Sequence, residues 1–261
     1  MQTKTDAELL RDYVAGQSEA AFGEIVRRYA GFVYSAALRQ VENPEAARDV
    51  AQVVFTDLAR KAGLLHANTL LIGWLCHATR LASLEQLRRD RRRSHRERQA
   101  MDWHETSSEI ATDWKEIGPA LDEAIASLGD EDRNALLLRF FKNESLASVG
   151  TILGVSEDAA QKRVSRALEK LREFFAGRGI NTTAAVLSVA ITANGIEAAP
   201  SGLAASLTAL AMSKAAAGSS TISRSSLLLS GRFIPHARPQ FPSPASKARN
   251  TRSWSSSELP S

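Results

Sequence analysis

Gln161, Lys162, Ser165 and Arg166 put an amide, an ammonium, a hydroxyl and a guanidinium on one side of a helical repeat. Ala160, Val164, Ala167, Leu168 and Leu171 fall on the other side, which fits an amphipathic helix with one buried face. Polar groups of these kinds read base edges and hold phosphates when a helix lies in the major groove of DNA. The alternative for the same pattern is an ordinary helical hairpin with a solvated polar face. The chemistry is recognition, and what matters next is which elements hold that helix.

The preceding residues supply them. Ser145 is a candidate N-cap, and Leu146, Val149, Ile152 and Leu153 recur at helical spacing, so a first helix follows Ser145. Gly154 takes the positive φ that ends this helix, Val155 plugs the corner and Ser156 caps a second helix from Glu157. Two helices joined by so tight a turn match the helix-turn-helix arrangement. Leu136, Leu137, Phe140 and Phe141 belong to a preceding helix, capped by Asp130, that packs under the second.

A second concentration of chemistry lies upstream. Arginines 88, 89, 91, 92, 93, 96 and 98 stand against only Asp90 and Glu97, a local balance of +5. Charge runs are usually solvated helix ends, but this bias reads better as a phosphate-binding surface. It ends a helix whose earlier residues Trp74, Leu75, Ala78, Leu81, Ala82 and Leu87 are mostly apolar, and a loop, LLHANTL, precedes that helix. Further upstream, Asn43-Pro44 starts a helix over Glu45 to Ala62 in which Val50, Val54 and Leu58 make the apolar line. Asp49, Gln52 and Phe55 are candidates for its more exposed side and for a protein-docking surface, core packing of Phe55 being the alternative. Ahead of it, Asp6 caps a first helix that Gly16 stops, and Phe22, Ile25, Tyr29, Phe32 and Tyr34 mark a second as core.

Composition narrows the function. The formal charge is +4, but from Lys214 onward seven Lys or Arg stand against Glu258 alone, a balance of +6 that leaves −2 for the rest. Any DNA-binding argument therefore rests on local clusters. The single cysteine, Cys76, excludes an internal disulfide, and the polar start MQTKTDAELL has no signal-peptide pattern, which places the chain in the cytoplasm. Scattered histidines, no CxxC, no glycine-rich phosphate loop and no nucleophile elbow argue against a metal, a cofactor or an enzyme active site.

Helix formers dominate and alternating β-branched runs are missing, so the fold class is all-α: two small helical domains at 1–98 and 120–177 joined by an acidic linker at 99–119. An Ala-rich helical extension at 178–217 and a disordered Ser, Arg and Pro-rich tail at 218–261 follow. Apolar runs in the extension are interrupted by Asn194, Gly195, Glu197, Pro200 and Gly202, short of the roughly 20 residues that span a bilayer. Short helices that pack on the two domains or bind a regulator are expected there. The tail's composition is also what a shifted reading frame produces, and resequencing tests that.

Taken together, these stretches resemble the sigma-70 family of bacterial transcription factors, in its small extracytoplasmic-function (ECF) group, over about Asp6 to Phe175. EAAFGEIVRRYAGFVYSAALRQVENPEAARDVAQVVFTDLARKA and GWLCHATRLASLEQLRRDRRR are similar to the two halves of the sigma-2 domain. ALLLRFFKNESLASVGTILGVSEDAAQKRVSRALEKLR is similar to the sigma-4 domain. The resemblance implies a promoter-specific initiation factor that binds core RNA polymerase. Asp49, Gln52 and Phe55 would dock on the β′ clamp helices, and the sigma-4-like domain would meet the β flap. Residues His66, Asn68, Thr69, Trp74, Arg80, Arg88, Arg89 and Arg92 would engage the minus-ten element. Gln161, Lys162, Ser165 and Arg166 would face the minus-thirty-five element, with Arg163 on phosphate. The acidic linker would thread the RNA-exit path, and an anti-sigma factor or other regulator is an implied partner.

Two residues depart from the family's habit. Leu81 stands where the promoter-reading helix usually has Asn, and Glu85 where it usually has Asp; Leu81 cannot hydrogen-bond a base, so the resemblance does not carry over which bases are read there. Two other readings compete: a stand-alone helix-turn-helix regulator that binds DNA without polymerase, and a regulatory interaction protein with vestigial DNA surfaces. Two separate DNA-facing surfaces favour a reader of two spaced elements.

Overall fold

Thr5 opens the first helix with a reciprocal cap. Its hydroxyl accepts the Glu8 N–H at 3.3 Å, while the Glu8 carboxylate accepts the Thr5 N–H at 2.7 Å. The expected cap, Asp6, is instead the first residue of α1 (Asp6–Gly16), because its carboxylate is engaged by Arg28, Tyr29 and Lys142. A computed structural model of the chain describes residues 4–16, 18–66, 69–97, 114–197 and 199–217, with the backbone alone for 93–97, 115 and 216–217.

Ser18 caps α2 (Glu19–Val41) by accepting the Ala21 N–H, and Asn43 caps α3 (Pro44–Lys61) by accepting from Glu45 and Ala46. Pro44 sits at the start of α3, where its missing N–H costs no hydrogen bond. A short 3₁₀ turn, Ala62–Leu64, leads to the loop before α4 (Leu71–Glu97). Phe22, Ile25, Tyr29 and Val33 of α2, Val50, Val54 and Leu58 of α3, and Ile72 and Leu75 of α4 are all buried.

α5 runs over Trp114–Ser127, so the stretch from Trp114 to Pro119, expected to belong to the linker, is helical. Pro119 is its sixth residue and gives up one backbone hydrogen bond. Burial of Ile117, Leu121, Ala124 and Ile125 at helical spacing offsets that loss. Residues 99–113 and the tail at 218–261 lie outside the described residues.

α6 (Asp130–Leu136) is capped by Gly129 rather than by Asp130, whose carboxylate accepts from Arg133 at 2.8 Å. It continues into a π turn, Leu137–Phe141, that ends with the Lys142 N–H donating to the Leu137 carbonyl. α7 (Leu146–Leu153) and α8 (Glu157–Ala176) follow, then α9 (Ala184–Asn194) and α10 (Leu203–Ala217). No strand occurs among the described residues, and the fold is all-α.

The α1–α4 and α5–α8 groups pack on each other. Arg39 of α2 donates to both carboxylate oxygens of Asp122 in α5 at 2.8 and 3.0 Å. Lys142 reaches back to Asp6 at 3.0 Å, and Phe32 meets Phe141 edge-on with ring centroids 5.4 Å apart. Phe141 thus packs toward α2, and Phe140 is only half-buried, so the support under α8 comes from α6, where Ala135 and Leu136 are buried. Among the described residues no helix is long and apolar enough to cross a membrane.

Candidate nucleic-acid interface

The turn between α7 and α8 is built as its residues dictate. Ser145 accepts the Ser148 N–H at 3.1 Å, Gly154 ends α7 at φ +66°, and Ser156 accepts the Ala159 N–H at 3.2 Å. Sequence patterning missed Gly150. A Cβ there would fall 2.9 Å from the Val155 carbonyl oxygen and 3.2 Å from the Glu157 nitrogen, so only glycine lets α7 touch the start of α8 backbone to backbone. A glycine inside a short apolar helix was the available signal.

Ala160, Val164, Ala167, Leu168 and Leu171 are buried, while Gln161, Lys162, Ser165 and Arg166 are exposed. Exposure does not leave all four alike. Arg166 donates through Nε to Asp132 at 2.9 Å and through Nη2 at 2.6 Å, and Lys170 reaches the same carboxylate at 2.9 Å. Arg163 pairs with Glu131 at 3.2 Å. Residues Glu131, Asp132 and Lys170 were not read from the sequence, because the pairing crosses from α6 to α8. The Arg166 hydrogen bond holds the Asp132 carboxyl below the usual carboxylate range, against burial. Gln161, Lys162 and Ser165 form the outward polar strip beside this clamped pair.

The second basic surface lies on α4. Arg88, Arg89, Arg91 and Arg92 are exposed, and Glu85 gathers Arg88, Arg89 and Arg92 at 3.9, 3.4 and 3.4 Å. Pairs this exposed are weak, so phosphates can compete for these guanidiniums. Trp74, Arg80 and Leu81 are half-buried on the same helix. His66 is exposed, Thr69 is half-buried and donates its N–H to the His66 carbonyl at 2.9 Å, and Asn68 lies outside the described residues.

On α3, Asp49 is exposed and Gln52 half-buried, but Phe55 is 0 % exposed. The expectation that Phe55 shares their outward side is corrected: its ring is core, and the exposed apolar side chain nearby is Val53. Among the described residues no cluster of His, Cys, Asp or Glu is placed to hold a metal ion. Burial pushes the Cys76 thiol up to about 12, so it packs as a neutral thiol.

A capped helix-turn-helix with an outward polar strip, and a separate arginine-rich helix end, define a DNA-binding protein of the helix-turn-helix class. The family described as sigma-70, region 4 matches residues 124–173, from within α5 to near the end of α8. The chain is 30% identical over 172 residues to the probable RNA polymerase sigma factor RfaY of Xanthomonas campestris, covering 61% of this chain and 42% of that protein. It is 27% identical over 180 residues to the ECF RNA polymerase sigma factor SigM of Mycobacterium tuberculosis, covering 68% of this chain and 89% of that one. A solved structure of CnrH in complex with the cytosolic domain of CnrY aligns at a TM-score of 0.34 and 19% identity, over 66% of this chain and 97% of that one. Residues 124–173 match sigma-70 region 4, and about two thirds of the chain is similar in sequence to RNA polymerase sigma factors, those of the ECF group included.

Proposed function

We propose that this chain works in the cytoplasm as a non-enzymatic subunit that binds core RNA polymerase and directs it to promoters with minus-ten and minus-thirty-five elements. The observation that carries the reading is the α7–α8 turn, whose outward Gln161, Lys162 and Ser165 lie within the region 4 match. In the major groove, Gln161 and Ser165 read base edges while Lys162 holds phosphate. Arg163 and Arg166 join the contact when DNA phosphates displace Glu131 and Asp132.

The residues from His66 to Thr69 and the α4 face from Trp74 to Arg92 engage the minus-ten element, the arginines gripping the backbone of the opened strand. Leu81 can supply apolar contact to a base there but no hydrogen bond. Asp49, Gln52 and Val53 form the surface for the β′ clamp helices, and the α5–α8 group meets the β flap. An anti-sigma factor or other regulator would act on these same surfaces.

Run-off transcription with purified core polymerase, on DNA from the chain's own upstream region, tests this. A start-site-specific transcript that depends on the protein, and is lost in the Asp49→Ala/Gln52→Ala variant, is the expected result. Tight sequence-specific DNA binding by the protein alone, with no transcript and no co-purification with core polymerase, supports a stand-alone regulator instead.

A further inference from the structure

α10 lies in the groove between α2 and α3, the helices that lead to and carry the proposed polymerase-docking residues. Leu203, Leu207 and Ala211 recur every fourth residue and are all buried, so one line of α10 forms the seam. Two contacts fix its direction. Thr208 sits over Gly23, and the Lys214 carbonyl accepts from Arg60 Nη2 at 3.0 Å, so α10 runs antiparallel to α2 and alongside α3 in the same sense.

The segment before α10 is tied down as well. Ser35 Oγ donates to the Glu197 carbonyl at 3.1 Å and accepts the Glu197 N–H at 2.7 Å, while Arg39 Nη1 donates to the Gly195 carbonyl at 2.7 Å. At its other end, α9 packs on α8 and the π turn and buries Leu187 and Ile191. One continuous extension therefore clasps the helix-turn-helix group at one end and the α2/α3 groove at the other.

We propose that α10 is a resident, displaceable occupant of a helix-binding groove on α2 and α3, and that the α9–α10 strap holds the chain closed until helices of the polymerase take α10's place. The inference rests on the reading under Proposed function. Two features support it. The groove already binds a helix, and α3, which forms one wall of it, carries Asp49, Gln52 and Val53. Of the described α10 side chains only Leu203, Leu207 and Ala211 are fully buried, with Met212 half-buried beside them, so the apolar area exposed by displacing the helix is small for its length.

The full-length Gly23→Cys/Thr208→Cys variant tests this. A Cβ at Gly23 would lie 3.6 Å from Thr208 Cγ2, at ordinary contact distance, and the native Cys76 is buried. The pair should oxidise readily, and the oxidised protein should bind core polymerase at least tenfold more weakly than the same protein after reduction. Leu207→Glu, which loosens the seam without a cross-link, should bind several-fold more tightly than wild type, with circular dichroism confirming that it is folded. Failure of the cysteines to pair, equal affinity of oxidised and reduced forms, or unchanged affinity of Leu207→Glu overturns the strap. If wild type and the reduced variant both fail to bind core polymerase, the reading under Proposed function falls and the strap's competition with polymerase falls with it.

Discussion

Arg39 and Asp122 form a two-pronged ion pair between α2 and α5, with 8 and 5 % of their side chains exposed, and the third arm of Arg39 holds the Gly195 carbonyl. One guanidinium thus joins the α1–α4 group, the α5–α8 group and the segment between α9 and α10. Removing a single partner of such a buried pair leaves a charge without compensation. Asp122→Ala should lower the unfolding free energy by about 3 to 5 kcal/mol in urea titrations. The Arg39→Met/Asp122→Leu double variant should recover much of that loss, though not the bond to Gly195.

Phe55 fills the core, so Phe55→Ala should cost about 3 to 5 kcal/mol and reduce polymerase binding only through unfolding. Asp49→Ala and Gln52→Ala should leave the thermal midpoint nearly unchanged while weakening pull-down of core polymerase. An equal loss of stability in all three would contradict the separation of core from docking surface.

Gly150→Ala drives a methyl group into the Val155 carbonyl, and no flexible side chain is there to yield. It should destabilise the protein by about 1 to 3 kcal/mol and abolish binding to minus-thirty-five DNA. Ala147→Gly, on the exposed part of α7, is the control: a loss of about 1 kcal/mol with DNA binding retained. Both effects are read from denaturant midpoints and fluorescence anisotropy.

Lys162→Ala should weaken DNA binding about equally across sequences and lower the salt dependence of log K by about 0.9. Gln161→Ala should instead relax preference at one base pair, worth about 1 to 3 kcal/mol. Asp132→Asn keeps the side chain's shape but releases Arg166 and Lys170 from a full charge. Non-specific DNA affinity should rise in that variant, measured at two or more salt concentrations.

Burial raises the Asp6 carboxyl, but hydrogen bonds from Tyr29, Lys142 and Arg28 outweigh it and leave the group below its usual value. A carboxyl depressed in the fold contributes stability that is fully present above its unfolded value of about 3.9 and is lost as pH falls through the lower folded value. Asp132 behaves alike under Arg166 and Lys170. Stability of wild type should therefore decline below about pH 4, and Asp6→Asn should flatten that decline in pH-dependent urea titrations.

The helix-turn-helix was legible in the sequence because everything that specifies it is local. Ser145, Gly154 and Ser156 act on backbone groups within a few residues, and the period of Ala160, Val164 and Leu171 is set by the helix itself. The same locality made Asn43-Pro44 readable as a helix start. Asp6 misled because Thr5 beside it caps equally well, and a partner 136 positions away, Lys142, takes the carboxylate. Trp114 to Pro119 read as linker because proline and glycine weigh against helix locally, whereas burial of Ile117 and Leu121 favours it only once the other helices are in place. Phe55 is one turn beyond Gln52 and Ala51 on a helix with more than one apolar face, so spacing could not assign it. The clamp of Asp132 on Arg166, the Arg39 junction and the seat of α10 join residues 34 to 156 positions apart or more. Local patterning fixed the helices and the polar groups on their outward faces. Which of those groups are held by acidic partners, and what covers the α2/α3 groove, depend on distant side chains brought together by burial, and only the tertiary structure decided them.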